Sequence, residues 1–185
     1  MKVCVLLPSY NEEKHIDRLI NRIKNYVTDV IVVDDGSSDR TGEIASREGA
    51  FVIRHNTNKG KGASLRDGFD YCRGLDYDAV IVMDADGQHK PEEIPKFIEV
   101  GSKNGDVIVI GNRMQDVSRM PILRRLTNQW TSFLISMFAH HDVPDSQCGF
   151  RLIKRNVLEN LKLSTSNYDT ESEILIEAAR NNFQI

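Results

Sequence analysis

Apolar runs and helical periods take turns along this chain. Lys2–Leu7 is a short apolar run stopped by Pro8 and reads as a buried strand. Asn11 then offers an N-cap for a helix reaching Tyr26, with Ile16, Leu19, Ile20 and Ile23 on one face. The alternation continues with a strand at Asp29–Val33 and a helix from Ser38 or Asp39 to Arg47, which Gly49 stops. A strand at Ala50–Arg54 and a helix at Lys61–Arg73 come next, then a strand at Ala79–Met83. Pro91 suits the first turn of a helix running to about Lys103, and Asp106–Ile110 is a fifth strand. Ile122, Leu123, Leu126, Trp130, Phe133, Leu134, Met137 and Phe138 repeat at helical spacing, and Thr170–Asn182 is a last amphipathic helix. Strands separated by helices predict crossover units, and hence an α/β fold with a mostly parallel sheet flanked by helices.

In such open sheets ligands sit beyond the carboxyl ends of the strands. The polar clusters Pro8–Glu12, Asp34–Asp39, Asn58–Lys61, Asp84–His89 and Gly111–Arg113 all fall on that side in this reading. The length, 185 residues, suits one domain spanning 1–185. Phe183–Ile185 has the look of a strand beginning, which suggests a domain cut short at its C-terminal end. The net charge of -3 argues against a nonspecific nucleic-acid binder. Three scattered cysteines read as reduced thiols of a cytosolic protein. The first residues are not a signal peptide, and no apolar run approaches a membrane span.

Neither GxGxxG after the first strand nor GxxxxGK[ST] is present, which disfavours dinucleotide dehydrogenases and P-loop enzymes. Asp84-Ala85-Asp86 places two carboxylates on one side of an extended segment. Such a pair suits Mg²⁺ or Mn²⁺ shared with a substrate phosphate, with Gln88 or His89 as further ligands. It also suits a turn and the acidic start of a helix before Pro91, though its place after the apolar run Val80–Met83 favours the metal reading. Asp34–Asp39 is open in the same way, as a capped turn or as carboxylates for a base or ribose hydroxyl. Asn58–Ser64 reads as a phosphate cradle or a basic helix entry. The helix near Trp130, preceded by Arg119, Arg124 and Arg125, reads as packed on the sheet or as interfacial beside a lipid.

Six motifs occur in order: Pro8-Ser9-Tyr10-Asn11-Glu12, Val32–Thr41, Asn58–Ala63, Asp84–His89, Gly111-Asn112-Arg113 and Asp145–Phe150. With these the chain resembles the family-two inverting glycosyltransferases of the Rossmann-like glycosyltransferase A fold. Within them it is most similar to the dolichol-phosphate mannose synthase and polyprenyl-phosphate glycosyltransferase branch, over essentially its whole length. The resemblance implies a single domain that moves a sugar from a nucleoside-diphosphate donor to a polyprenyl phosphate at the cytoplasmic face of a membrane. GDP-mannose and UDP-glucose both suit these motifs.

By the same resemblance Pro8, Tyr10, Glu12, Val33 and Asp35 would line the nucleoside pocket, and Asp84, Ala85 and Asp86 the ribose and diphosphate. Asp86, Gln88 and Asp84 would hold Mg²⁺ or Mn²⁺, and Arg113 would reach a donor phosphate. Asp145 would stand at the reacting centre, as base for a hydroxyl or as orienter of an anionic phosphate, with Gln147 and Arg151 near the acceptor. An acidic residue near Thr170-Glu171-Ser172-Glu173 would face the acceptor side or solvent. Two rival readings change the outcome: a saccharide or protein acceptor, or a nucleotide-binding module without turnover.

Overall fold

The computed structural model describes residues 1–112, 122–139, 143–165 and 170–185, and within 122–139 the side chains of 129–137. The first half follows the expected alternation: β1 (Val3–Ser9), α1 (Ile16–Ile23), β2 (Asp29–Asp34), α2 (Thr41–Arg47), β3 (Phe51–Arg54), α3 (Lys61–Arg73) and β4 (Ala79–Val82). After β4 come a short 3₁₀ turn at Pro91–Glu93, α4 (Ile94–Lys103), β5 (Ile108–Ile110) and α5 (Ile122–Ala139). The chain closes with β6 (Arg151–Lys154), α6 (Arg155–Asn160) and α7 (Thr170–Arg180).

Among the described residues these strands form one sheet in the order β3-β2-β1-β4-β6-β5. β1 pairs in parallel with β2 and β4, and β2 with β3. β6 runs antiparallel to both β4 and β5. That reversal brings the start of β6 to the carboxyl end of β4, since Val82 pairs with Arg151. Two apolar layers cover the sheet. Val5, Leu7 and Ile81 face α1 and α4 through Ile20, Ile94 and Phe97. Leu6, Val80 and Ile153 face α3, α6 and α7 through Phe69, Val157 and Leu175. Buried side chains of this size contribute roughly 1.5–3 kcal/mol each, so the two layers dominate the stability.

Two departures from the sequence reading have physical causes, and one expectation at the chain's end is met. Asn11 does not cap α1. It sits at φ +55, and the chain turns through Glu12, whose carbonyl accepts the His15 and Ile16 N–H groups, before the helix begins at Ile16. β6 and α6 were not foreseen, because a buried arginine interrupts the apolar run that would mark the strand. Finally, Gln184 makes a parallel bridge to Val107, with Ile108 N–H donating to the Gln184 carbonyl at 2.9 Å, so the apolar end does adopt strand pairing. Cys4, Cys72 and Cys148 are buried free thiols, with Cys4 and Cys72 in contact at 3.8 Å.

Candidate active site

The polar loops following β1, β2, β3, β4 and β5 gather at the carboxyl rim of the sheet, and the segment 143–150 joins them ahead of β6. Pro8 belongs there for a backbone reason. The Leu6 carbonyl accepts Met83 N–H on the β4 side, and alternation turns Pro8 to that same side, past the end of β4. A residue without an N–H costs no ladder bond at that place.

The β1 and β2 loops are stitched together. Asn11 N–H donates to Ser37 Oγ at 2.9 Å, Glu12 N–H to Thr41 Oγ1 at 2.7 Å and Glu13 N–H to Asp39 Oδ2 at 3.1 Å. Ser38 N–H returns a bond to Asn11 Oδ1 at 2.9 Å. This fixes Tyr10, whose ring is 47% exposed, and the half-buried Glu12 beside the cleft. Burial, then the negative field of Asp86, raises the Glu12 carboxyl above its ordinary range. Asp39, just ahead of α2, accepts Thr41 N–H at 2.9 Å, as the capped-turn reading of this loop expects.

Asp34 and Asp35 differ in role. Asp34 is fully buried, and its Oδ1 accepts Ser37 N–H at 3.0 Å. Among the described residues its Oδ2 has no hydrogen-bond partner, and Arg54 Nε lies 3.4 Å from it. Asp35 is buried under the β3–α3 loop, accepting Lys59 N–H at 2.9 Å and Gly60 N–H at 2.8 Å. The basic glycine segment thus wraps a carboxylate, an arrangement neither sequence reading contained. Val33, also buried, lies inside β2.

At the end of β4 Asp84 meets a lysine. Lys61 Nζ, from the first turn of α3, lies 2.5 Å from Asp84 Oδ1 and 2.6 Å from Glu171 Oε1. His89 Nε2 holds the other Asp84 oxygen at 3.2 Å. Burial opposes the Asp84 charge, but the His89 hydrogen bond and the Lys61 ammonium outweigh it and hold the carboxyl far below its usual range. Lys61 is raised in turn, Asp84 and Glu171 overcoming its own burial. Gly149 makes room for this cluster, because a Cβ there would stand 2.5 Å from an Asp84 oxygen.

Asp86 is half-buried, and its Oδ1 accepts Gln88 N–H at 2.9 Å. Ala85 between the two carboxylates is buried, and Gln88 is exposed. Among the described residues no three His, Cys, Asp or Glu side chains gather as a metal cage. The donor set is instead one open carboxylate rim at Asp86, next to Glu12, with Asp84 already matched by Lys61. It fits a hard cation that keeps most of its shell for phosphate and water.

On the other flank Asp145 is 1% exposed and its carbonyl accepts Cys148 N–H. A cavity of about 210 Å³ beside β5 has Ile110, Asn112, Val143 and Asp145 among its walls. Gln147 donates from Nε2 to Ser172 Oγ at 3.1 Å. Arg151 is 1% exposed, and its guanidinium donates to the carbonyls of Cys148, Ser146 and Glu171, each at 2.7 Å. It braces the 145–149 segment against α7 and shows no donor at the surface. Arg113 lies outside the described residues, as do Arg119 and the side chains of Arg124 and Arg125. On α5, Ser132 and Ile135 are buried, while Trp130, Phe133 and Met137 are more than half exposed. The helix is thus both packed on the body and apolar on its outer face. No helix among the described residues is long and apolar enough to cross a membrane.

The structure therefore brings together Pro8, Tyr10, Glu12, Val33, Asp35, Asp84, Ala85, Asp86, Gln88, Asp145 and Gln147 along one rim. Sequence reasoning missed the pairing of Lys61 with Asp84 and Glu171, and missed His55 and Asp67 beneath Asp35. Lys61 and Glu171 had been seen only as members of other motifs.

Comparison with known proteins places the family and the fold. The glycosyl transferase family 2 model matches residues 4–162. A UDP-N-acetylglucosamine–dolichyl-phosphate N-acetylglucosaminyltransferase of Methanococcus voltae is 31% identical over 99% of this chain and 82% of its own length. A dolichol-phosphate mannosyltransferase of Pyrococcus furiosus is 36% identical over 96% of this chain and 53% of its own length. Among solved structures, glucosyl-3-phosphoglycerate synthase of Mycobacterium tuberculosis superimposes with a TM-score of 0.75 at 22% identity, over 99% of this chain and 68% of that one. With its family model matched from β1 to the end of α6 and its fold that of the glycosyltransferase A enzymes, this chain belongs to glycosyl transferase family 2 and is a glycosyltransferase.

Proposed function

We propose that this enzyme transfers a sugar, with inversion, from a nucleoside-diphosphate sugar to a polyprenyl phosphate at the cytoplasmic face of a membrane. One observation carries the reading: Asp35, the pair Asp84 and Asp86, and Asp145 arrive from three separate segments on a single rim. The lipid-phosphate transferases among its relatives support the acceptor class. In the proposed reaction the bond from the sugar C1 to the donor diphosphate breaks. An acceptor phosphate oxygen forms the new bond on the opposite face of that carbon.

Each residue has a task in that scheme. Pro8, Tyr10, Glu12, Val33 and Asp35 seat the nucleoside, and Asp84 and Ala85 lie under the ribose and diphosphate. Asp86 and Gln88 would hold Mg²⁺ or Mn²⁺. That cation would neutralise charge gathering on the leaving diphosphate. Asp84 keeps Lys61 beside the same diphosphate, where a cation is worth more than in water. Arg113 is assigned to the donor phosphates, where a guanidinium fork suits phosphate oxygens. An acceptor phosphate is already anionic, so Asp145 orients it, with Gln147, rather than removing a proton.

The deciding experiment follows a labelled sugar from its nucleotide into an organic phase containing polyprenyl phosphate. Lipid-borne label that disappears in Asp86→Ala supports the proposal. Label that reaches water or soluble saccharide alone overturns the acceptor assignment.

A further inference from the structure

The way Asp35 is clamped bears on which base the donor carries, given the reading above that Asp35 faces the base. A carboxylate has about four lone-pair positions. On Asp35, Oδ1 takes two donors, His55 Nδ1–H at 2.7 Å and Lys59 N–H at 2.9 Å. Oδ2 takes one, Gly60 N–H at 2.8 Å. Among the described residues these donors fill Oδ1 and leave one acceptor position on Oδ2.

The clamp is rigid. The His55 side chain is 3% exposed, and its other ring nitrogen, Nε2, lies 2.8 Å from Asp67 Oδ2. The His55 N–H is tied to the Asp34 carbonyl at 2.9 Å. Gly36, at φ +71, lets the chain pass so close that a Cβ would stand 2.6 Å from the Thr57 backbone. Freeing Oδ1 for a ligand would break a buried hydrogen bond and leave its partner unsatisfied.

Guanine presents an imino N–H and an amino N–H side by side, which a carboxylate receives on two oxygens. Uracil presents one imino N–H between two carbonyls, which one oxygen receives. We infer that the donor nucleotide carries uracil, and that His55, by filling Oδ1, is the positioning residue that sets this choice. A guanine amino group in the same place would be desolvated without an acceptor, the situation that gives strong discrimination in polar pockets.

The test is calorimetric titration of the full chain with UDP, GDP and IDP at one Mg²⁺ concentration. IDP keeps the purine imino group and lacks the amino group. UDP is expected to bind at least about tenfold more tightly than GDP, near 1.4 kcal/mol, and GDP no better than IDP. GDP binding tighter than UDP, or about tenfold tighter than IDP, overturns the inference and leaves the donor site standing. Binding of none of the three overturns the donor site itself, and the inference with it. His55→Ala, with folding checked by circular dichroism, is expected to raise GDP over IDP by freeing Oδ1. An unchanged ratio in a folded variant removes His55 from the choice, and the wild-type comparison stands even where that variant does not fold.

Discussion

A single ammonium group decides the electrostatics of the rim. Lys61 is four-fifths buried between two carboxylates, at 2.5 and 2.6 Å. Lys61→Met leaves the two acids facing each other without their shared ammonium, with His89 alone still bonded to Asp84. The expected cost is about 2–3 kcal/mol, less than for a fully buried pair because the cluster keeps some solvent contact. Urea unfolding measures it, and a cost below about 0.5 kcal/mol would show the cluster to be slack. Glu173 supplies a pH signature elsewhere. It accepts from Ser164 and Thr165 through main-chain and hydroxyl donors, and these outweigh its burial to hold the carboxyl at about 2. An acid with a lowered folded value stabilises above its ordinary range near 4.5 and loses that contribution as pH falls towards 2. Wild type should therefore lead Glu173→Gln at neutral pH, and the two should converge on acidification. A constant gap would mean that the carboxylate charge is not what binds the 164–165 segment.

At the scale of elements, the glycine before β6 is as exacting as the acids. Gly149→Ala forces a methyl group against Asp84 and should cost about 1–3 kcal/mol, the usual range for overpacking. It should also weaken nucleoside diphosphate binding, and unchanged affinity would separate Asp84 from the donor. Most elements up to β5 were legible because each apolar run ends in a polar loop on the same side of the sheet. The boundaries of α1 were not, because Asn11 uses its side chain to tie two loops rather than to cap. β6 was illegible for a different reason. Arg151 reads as a surface residue, yet three carbonyls from Ser146, Cys148 and Glu171 meet its demand for acceptors inside the core. Burial drags its guanidinium below its ordinary value, with Glu171 opposing that shift. The Lys61–Glu171 pair depends on α3 and α7 meeting across the fold, and the His55–Asp67 contact on the loop after β3 folding back against α3, and no local spacing announces them.

For the whole molecule, the apolar face of α5 belongs to the membrane part of the proposal. Trp130 and Phe133 have ring centroids 6.2 Å apart, and Met137 follows on the same side. The sequence around them carries Arg119, Arg124 and Arg125 and no acid between Val117 and His141. Trp130→Ser with Phe133→Ser should lower sedimentation with anionic vesicles severalfold and leave nucleotide affinity intact. Equal sedimentation of variant and wild type would exclude this face from lipid contact.

The reversal of β6 has a consequence for inheritance. Everything assigned to the donor, apart from Arg113 and Glu171, comes from the parallel half of the sheet. The reaction-centre and acceptor candidates enter from the strand that runs the other way. The two specificities thus lie in successive stretches of one chain, and selection could rewrite one while copying the other. Grafting residues 111–185 of a relative, with Arg113, Gly149 and Glu171 kept, should move acceptor choice while nucleotide affinity is retained. Loss of nucleotide binding in a folded graft would show that the two inheritances are not separable.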